Sequence, residues 1–225
     1  MAVEIVSKQD ISKQQAVNKR YSAIVLGATG LVGKSLVNQL CQDERYTQVT
    51  CLVRSPLVAA DYHDPLKKMQ PLVIDFDDFQ DYQGYFSVDH VYCCLGTTLK
   101  KAGDRKAFRR VDFEFVHVAA QLARAQRAKS FVWISSLGAD AKSRNFYLRV
   151  KGELENAILT MPQLTNAAAV RPPLLMGARK EKRNAEAWGI KALNALSPIM
   201  KGPLAKYKPV PAFNVANQMI NLQVF

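Results

Sequence analysis

The stretch Gly27-Ala28-Thr29-Gly30-Leu31-Val32-Gly33 stands where an apolar run, Ala23-Ile24-Val25-Leu26, hands over to an amphipathic one. A glycine-rich turn from strand to helix lets backbone N–H groups approach a pyrophosphate closely, and the next helix points its positive dipole end at the same charge. The spacing is G-x-x-G-x-x-G and not G-x-G-x-x-G, so alone it reads equally well as a plain turn between a strand and a helix. The rest of the chain has to decide.

Past the turn, Leu31, Leu36, Val37, Leu40 and Cys41 recur near helical spacing. Residues 49–53 form a β-branched run suited to a strand buried on both faces, and residues 71–74, 88–95, 131–134 and 167–170 read as further strands. Between them, residues 105–127 predict a long helix whose stripe is Phe108, Val111, Phe115, Val118, Ala119 and Leu122. Residues 145–159 predict another, and Arg171-Pro172-Pro173 closes the sixth strand because proline cannot continue a ladder. Strands alternating with helices at this rhythm imply α/β architecture, a doubly wound parallel sheet of the Rossmann type.

A length of 225 residues suits one such domain. Residues 21–225 are assigned to it, and residues 1–20 are read as a polar arm outside the core. After the sixth strand come a loop at 176–184, a helix at 185–196, a strand at 207–210 and a last helix from Val215. Residues 178–225 are too few for a second domain and are expected to form a small substrate cap.

The net charge of +12 fits a solvated basic surface or an anionic cofactor and substrate. Basic clusters at Lys100-Lys101, Arg105-Lys106, Arg109-Arg110 and 179–183 lack an aromatic stacking platform or a nucleic-acid motif, which disfavours nucleic acid as a partner. Cys41, Cys51, Cys93 and Cys94 sit in expected helix or strand without a C-x-x-C pair, and His63, His90 and His117 stand apart as bland surface or satisfied residues, so neither disulfides nor a metal site is expected. No apolar run is long enough to span a bilayer, and the first twenty residues have no apolar leader core, so a cytoplasmic protein is expected.

Several residues at expected strand ends carry chemistry. Arg54 follows the second strand about twenty residues past the glycines, where an acidic residue would bind a ribose 2′-hydroxyl and a basic one a 2′-phosphate, which favours NADP(H). Asp75, after the third strand, is placed to meet an adenine amino group, and Gly96-Thr97 ends the fourth where a crevice for ligand opens. Tyr147 and Lys151, at i and i+4, share one helical face, and Ser135-Ser136 ends the strand before them. Carbonyl reduction needs a phenol to donate a proton, a cation beside it and a hydroxyl to hold the substrate oxygen. Ser136 is assigned that hydroxyl role, with Ser135 either lining the cofactor or exchanging roles with it. A tyrosine and a lysine that merely share a helix surface are equally common, so the strand context carries the assignment.

The chain resembles the atypical short-chain dehydrogenase/reductases, and within them the group named for the human Tat-interacting protein also called CC3. The resemblance spans roughly residues 20–225. It rests on the glycine turn, Asp75-Phe76, Cys93-Cys94-Leu95-Gly96-Thr97-Thr98, Lys101-Ala102-Gly103, Val111-Asp112, Ser135-Ser136-Leu137-Gly138-Ala139-Asp140, Tyr147-Leu148-Arg149-Val150-Lys151-Gly152-Glu153, and Arg171-Pro172 with Leu174-Leu175, Arg179, Glu181, Arg183 and Glu186. It implies NADP(H) bound with Gly27, Thr29, Gly30, Leu31, Val32 and Gly33 at the pyrophosphate and Arg54 at the 2′-phosphate. Asp75 and Phe76 would be cofactor contacts, Leu95, Gly96 and Thr97 would lie beside the ribose and nicotinamide, and Ser135, Lys151 and Pro172 would complete the track. Ser136, Tyr147 and Lys151 match the superfamily's catalytic positions. Leu31-Val32 depart from the pattern, being bulkier than the polar residues some relatives carry there. A monomer or homodimer is expected that reduces a small carbonyl or quinone-like substrate with Tyr147 as proton donor. The alternative is a non-catalytic NADP(H)-sensing module that binds a protein partner.

Overall fold

Successive residues of the central strands are buried on opposite faces, as a sheet covered by helices on both sides requires. In the computed structural model, which describes residues 19–173, the backbone of 175–176, and 209–225, β1 (Tyr21–Leu26), β2 (Tyr46–Val53), β3 (Met69–Val73), β4 (His90–Cys93), β5 (Ser130–Ile134) and β6 (Ala167–Val170) form one sheet. Its order is β3-β2-β1-β4-β5-β6 and every pairing is parallel. Val25, Tyr92 and Val132 face α1 (Leu31–Gln42) and the C-terminal helix Ala212–Asn221, whereas Ile24, Val91, Phe131 and Trp133 pack with the helices that follow β4 and β5.

Those helices are α2 (Leu99–Ala102), α3 (Arg105–Arg109), α4 (Phe115–Ala125) and α5 (Phe146–Leu159); Ala212–Asn221 is α6. The helix expected over 105–127 exists, but a π-helical turn at Arg110–Glu114 interrupts it. Below this turn the buried positions run Phe108, Asp112, Val116, Ala119 and Ala120, while Val111, Phe115 and Val118 of the expected stripe are only partly buried. A wider turn rotates the face presented to the core, which a uniform 3.6-residue period cannot anticipate.

Boundaries also differ. β4 is shorter than 88–95 because Cys94 donates its N–H to Leu26 O (2.8 Å) and the chain then leaves the ladder over Gly27. Of the strand expected at 207–210, residues 207–208 lie outside the described residues; Val210–Pro211 forms β8, parallel to β7 (Leu175–Met176), and the last helix starts at Ala212 instead of Val215. The polar arm is described only from residue 19, and the loop and helix expected at 176–196 lie almost wholly outside the described residues.

His90 is a buried, satisfied histidine, one of the two readings expected for it. Its Nε2 lies 2.9 Å from the Val224 carbonyl, which can only accept, so Nδ1 accepts in turn from the Tyr46 hydroxyl at 2.7 Å. Tyr21 stacks on the His90 ring, and burial pushes the imidazole pKa down. This cluster ties the C-terminal tail to the amino edge of the sheet, the edge away from the glycine turn.

At the start of α5, Asn145 caps the helix by accepting from Leu148 N (3.2 Å). Asn145→Ala is expected to destabilise the protein by about 1 kcal/mol, read as a lower denaturant midpoint with unchanged slope.

Candidate active site

Parallel strands in register bring their following loops to one edge. Leu26 pairs with Leu52 and Cys93, Cys93 with Trp133, and Ile134 with Val170. Gly27, Arg54, Asp75, the Cys94-to-Thr97 loop, Ser135-Ser136 and Pro172 therefore all leave the sheet at its carboxyl edge. Between β1 and β4 the strand order reverses, which is where a doubly wound sheet opens a crevice.

The glycine turn is built for close approach. Gly27 has φ +77°, and a Cβ there would stand 2.6 Å from the Cys94 carbonyl carbon and oxygen. A Cβ on Gly33 would stand 2.1 Å from Gly27 O, so the turn folds tightly onto the first turn of α1. Gly30 is the N-cap and offers no side-chain cap. The first N–H groups of a helix have no partner within it, so α1 begins with uncapped donors facing the crevice, a cradle that fits a pyrophosphate. Val32 and Ala28 send their side chains into the core and Thr29 is exposed, so Val32 has only its backbone to offer a ligand.

Arg54 is exposed directly after β2 and makes no ion pair among the described residues. Asp75 is exposed too, though its Oδ1 already accepts from Asp77 N (2.8 Å). Phe76 packs against Phe79 and Phe115 inside the second core, leaving only backbone for a cofactor. Leu95 and Thr97 are half-buried and Gly96 is exposed.

Ser135 is buried, its N–H bonded to Val170 O (2.7 Å) and its Oγ without a partner among the described residues. Ser136 is half-buried, its Oγ 3.4 Å from Leu137 O. One turn before Lys151, the Tyr147 ring packs 5.7 Å from that of Phe108, and its hydroxyl makes no hydrogen bond among the described residues. Pro172 is buried, and its carbonyl accepts from Leu137 N (3.1 Å). Next to it, Arg171 donates through Nε to both oxygens of buried Glu155 (2.9 and 3.1 Å), pinning the end of β6 to α5.

Lys151 is almost fully buried, and its Nζ lies 2.8 Å from Asp112 Oδ1 and 3.4 Å from Ile134 O. The contact to Oδ1 is off the hydrogen-bond axis, so charge holds it. Asp112 Oδ2 accepts from Thr97 N at 2.7 Å. Burial raises the Asp112 pKa, against the opposing pull of Lys151 and of the Thr97 N–H. The sequence reading quoted Asp112 but gave it no site role. Composition does not distinguish it from Glu114 on the same helix; only burial does, Asp112 being buried and Glu114 exposed.

Neighbouring cysteines are inert: burial pushes the Cys93 thiol up to about 12 and that of Cys94 well above its usual value. Among the described residues no group of His, Cys, Asp and Glu could hold a metal.

Residues 27–183 match the NAD(P)H-binding family model. The chain belongs to that family. This NAD(P)H-binding protein is also 33% identical over 201 residues to Protein HTATIP2 of Rattus norvegicus, covering 89% of the chain and 80% of that relative. It is 32% identical over 167 residues to the mitochondrial Protein FMP52-1 of Scheffersomyces stipitis, covering 72% of the chain and 70% of the relative. Its fold is shared with MoeE5 solved in complex with UDP-glucose and NAD, at TM-score 0.65 and 14% identity over 90% of this chain and 71% of that one. The PhqB reductase domain of Penicillium fellutanum matches at TM-score 0.65 and 15% identity over 95% and 68%. The expected Rossmann-type NAD(P)-binding fold and the expected relationship to the Tat-interacting-protein group both hold.

The cytoplasmic expectation does not. The FMP52 relatives of Scheffersomyces stipitis, Debaryomyces hansenii and Candida albicans are named as mitochondrial proteins. An N-terminal stretch without an apolar core does not argue for the cytoplasm, because organelle transit peptides are amphipathic and basic. No helix among the described residues of this NAD(P)H-binding protein is long and apolar enough to cross a membrane.

Proposed function

We propose that the protein is an NADP(H)-dependent reductase of a small carbonyl or quinone-like compound. The observation that carries this reading is that Tyr147 and Lys151 lie one turn apart on α5, with Lys151 Nζ beside Gly96 of the loop after β4 and 3.4 Å from the Ile134 carbonyl, just before Ser135-Ser136. The glycine turn and α1 would hold the pyrophosphate through backbone N–H groups, and exposed Arg54 the 2′-phosphate. Bound NADPH supplies the hydride. Ser136 would orient the substrate oxygen and Tyr147, its hydroxyl uncommitted, would donate the proton to it as the hydride arrives at carbon. Lys151 would hold the nicotinamide ribose and place positive charge beneath the phenol.

A second reading, a non-catalytic NADP(H)-sensing module for a protein partner, is favoured by the engagement of Lys151 with Asp112. A screen of aldehydes, ketones and quinones against the full chain, followed by loss of NADPH absorbance, separates the two. Turnover that Tyr147→Phe abolishes supports the reductase. Saturable NADPH binding with no turnover across the panel overturns it in favour of the sensing module.

A further inference from the structure

We propose that the compound reduced here carries a carboxylate, and that Arg105 is the residue that selects it. The inference deepens the reductase reading above and rests on it. Arg105 opens α3, and Phe108 follows three positions later, so the two side chains are neighbours on one helix face. The Arg105 guanidinium carbon lies 5.2 Å from the centre of the Phe146 ring, Phe146 packs 5.7 Å from Phe108, and Phe108 packs 5.7 Å from Tyr147. One cluster of rings therefore joins this cation to the phenol proposed as proton donor. Phe108 is fully buried, Phe146 and Tyr147 are half-buried and Arg105 is exposed, so the cluster opens to solvent at its arginine end.

The charge at that opening is not spent within the protein. Arg109 and Arg149 lean on one carboxylate, that of Glu153, at 2.5 and 3.9 Å, and Arg149 also donates to the Ser143 carbonyl (3.0 Å). Arg105 makes no ion pair among the described residues, and its neighbour Asp104 accepts from Ala107 N (2.8 Å) as the cap of α3. Contact with the Phe146 ring holds the guanidinium through its face and leaves its N–H donors for another acceptor. The residues proposed to hold the cofactor's phosphates, the glycine turn and Arg54, follow β1 and β2, whereas Arg105 follows β4 on the other side of the point where strand order reverses. A guanidinium offers its donors as a planar fork that matches a carboxylate. An aldehyde or ketone held by its oxygen at Tyr147 and by a carboxylate at Arg105 would lay its apolar middle along Phe146. NADPH gives hydride to the carbonyl carbon and Tyr147 gives the proton to the oxygen, so the products are a hydroxy acid and NADP+, water reprotonates the phenol, and the carboxylate is unchanged.

Matched pairs of aliphatic and aromatic aldehydes and ketones, each as the free carboxylate and as its methyl ester, test this with the full chain and NADPH. The ratio of kcat/KM between acid and ester is expected to be about ten, the size of a hydrogen-bonded charge contact, and to arise in KM. It should fall to near one in Arg105→Gln, recover in part in Arg105→Lys, and stay at the wild-type value in Lys106→Gln, which removes an exposed charge one position along. Arg105 is exposed, so its replacement leaves the core intact. Equal constants for acid and ester, a preference that survives Arg105→Gln, or one lost equally in Lys106→Gln overturns this proposal alone. Turnover of neither form in any pair overturns the reductase reading and this proposal with it.

Discussion

Gly152→Ala is expected to destabilise the protein by about 3 kcal/mol or more and to disturb the candidate site with it. A Cβ there would stand 2.2 Å from Ala141 N, 2.3 Å from Asp140 C and 2.6 Å from Asp140 Cα, all backbone. The turn cannot recede freely, because Asp140 N donates to Leu148 O (3.1 Å) and Ala139 N to Ser136 O (3.0 Å). The helix would have to move instead, carrying Lys151 and Tyr147 with it. Gly84→Ala is the control, as a Cβ at Gly84 meets nothing within 4 Å, and its effect should stay within about 0.5 kcal/mol. Denaturant unfolding of both variants checks the contrast, and equal midpoints would refute the close packing of α5 on this turn.

Tyr147→Phe carries the other large effect, on turnover instead of stability. The ring contact with Phe108 survives the change, and the hydroxyl has no hydrogen bond to lose among the described residues. Stability and NADPH affinity should therefore stay close to wild type. The rate should fall by about a hundredfold to ten-thousandfold, the range that a positioned proton donor contributes. A substrate identified in the screen makes the measurement direct: kcat falls at constant NADPH dissociation constant. Retained turnover would assign the proton to another group.

The fold was legible because a strand announces itself by β-branched or aromatic content, as at 131–134, or by the proline that closes it, as after the alanine-rich 167–170, and β5 and β6 match those ranges to within one residue. Where the hydrogen-bond ladder and not composition decides, the reading slipped, as at the shortened β4. The π turn was invisible because it changes no residue's propensity. It only rotates the face, and so Val111 was assigned to the core and Asp112, the buried partner of Lys151, was given no role.

The candidate site was legible residue by residue but not as an arrangement. Gly27 and Gly33 were singled out by spacing, and their crowding against the Cys94 carbonyl and Gly27 O gives the physical need for glycine there. Phe76 follows Asp75 in the sequence, and its ring packs beside Phe79 and Phe115 in the core, an arrangement that spacing along the chain does not reveal. His90 looked isolated because its partners, Tyr46, Tyr21 and Val224, come from distant parts of the sequence.

The claim that the carboxyl edge of this sheet is an NADP(H) site is tested most directly by calorimetric titration of the full chain with NADPH and NADH, repeated on Arg54→Ala. The account predicts saturable binding of NADPH at least about tenfold tighter than NADH, and a loss of that preference in the variant, because a guanidinium pairs with a 2′-phosphate and gains little from a 2′-hydroxyl. Heat release for neither nucleotide, or equal affinities that Arg54→Ala leaves untouched, would contradict it.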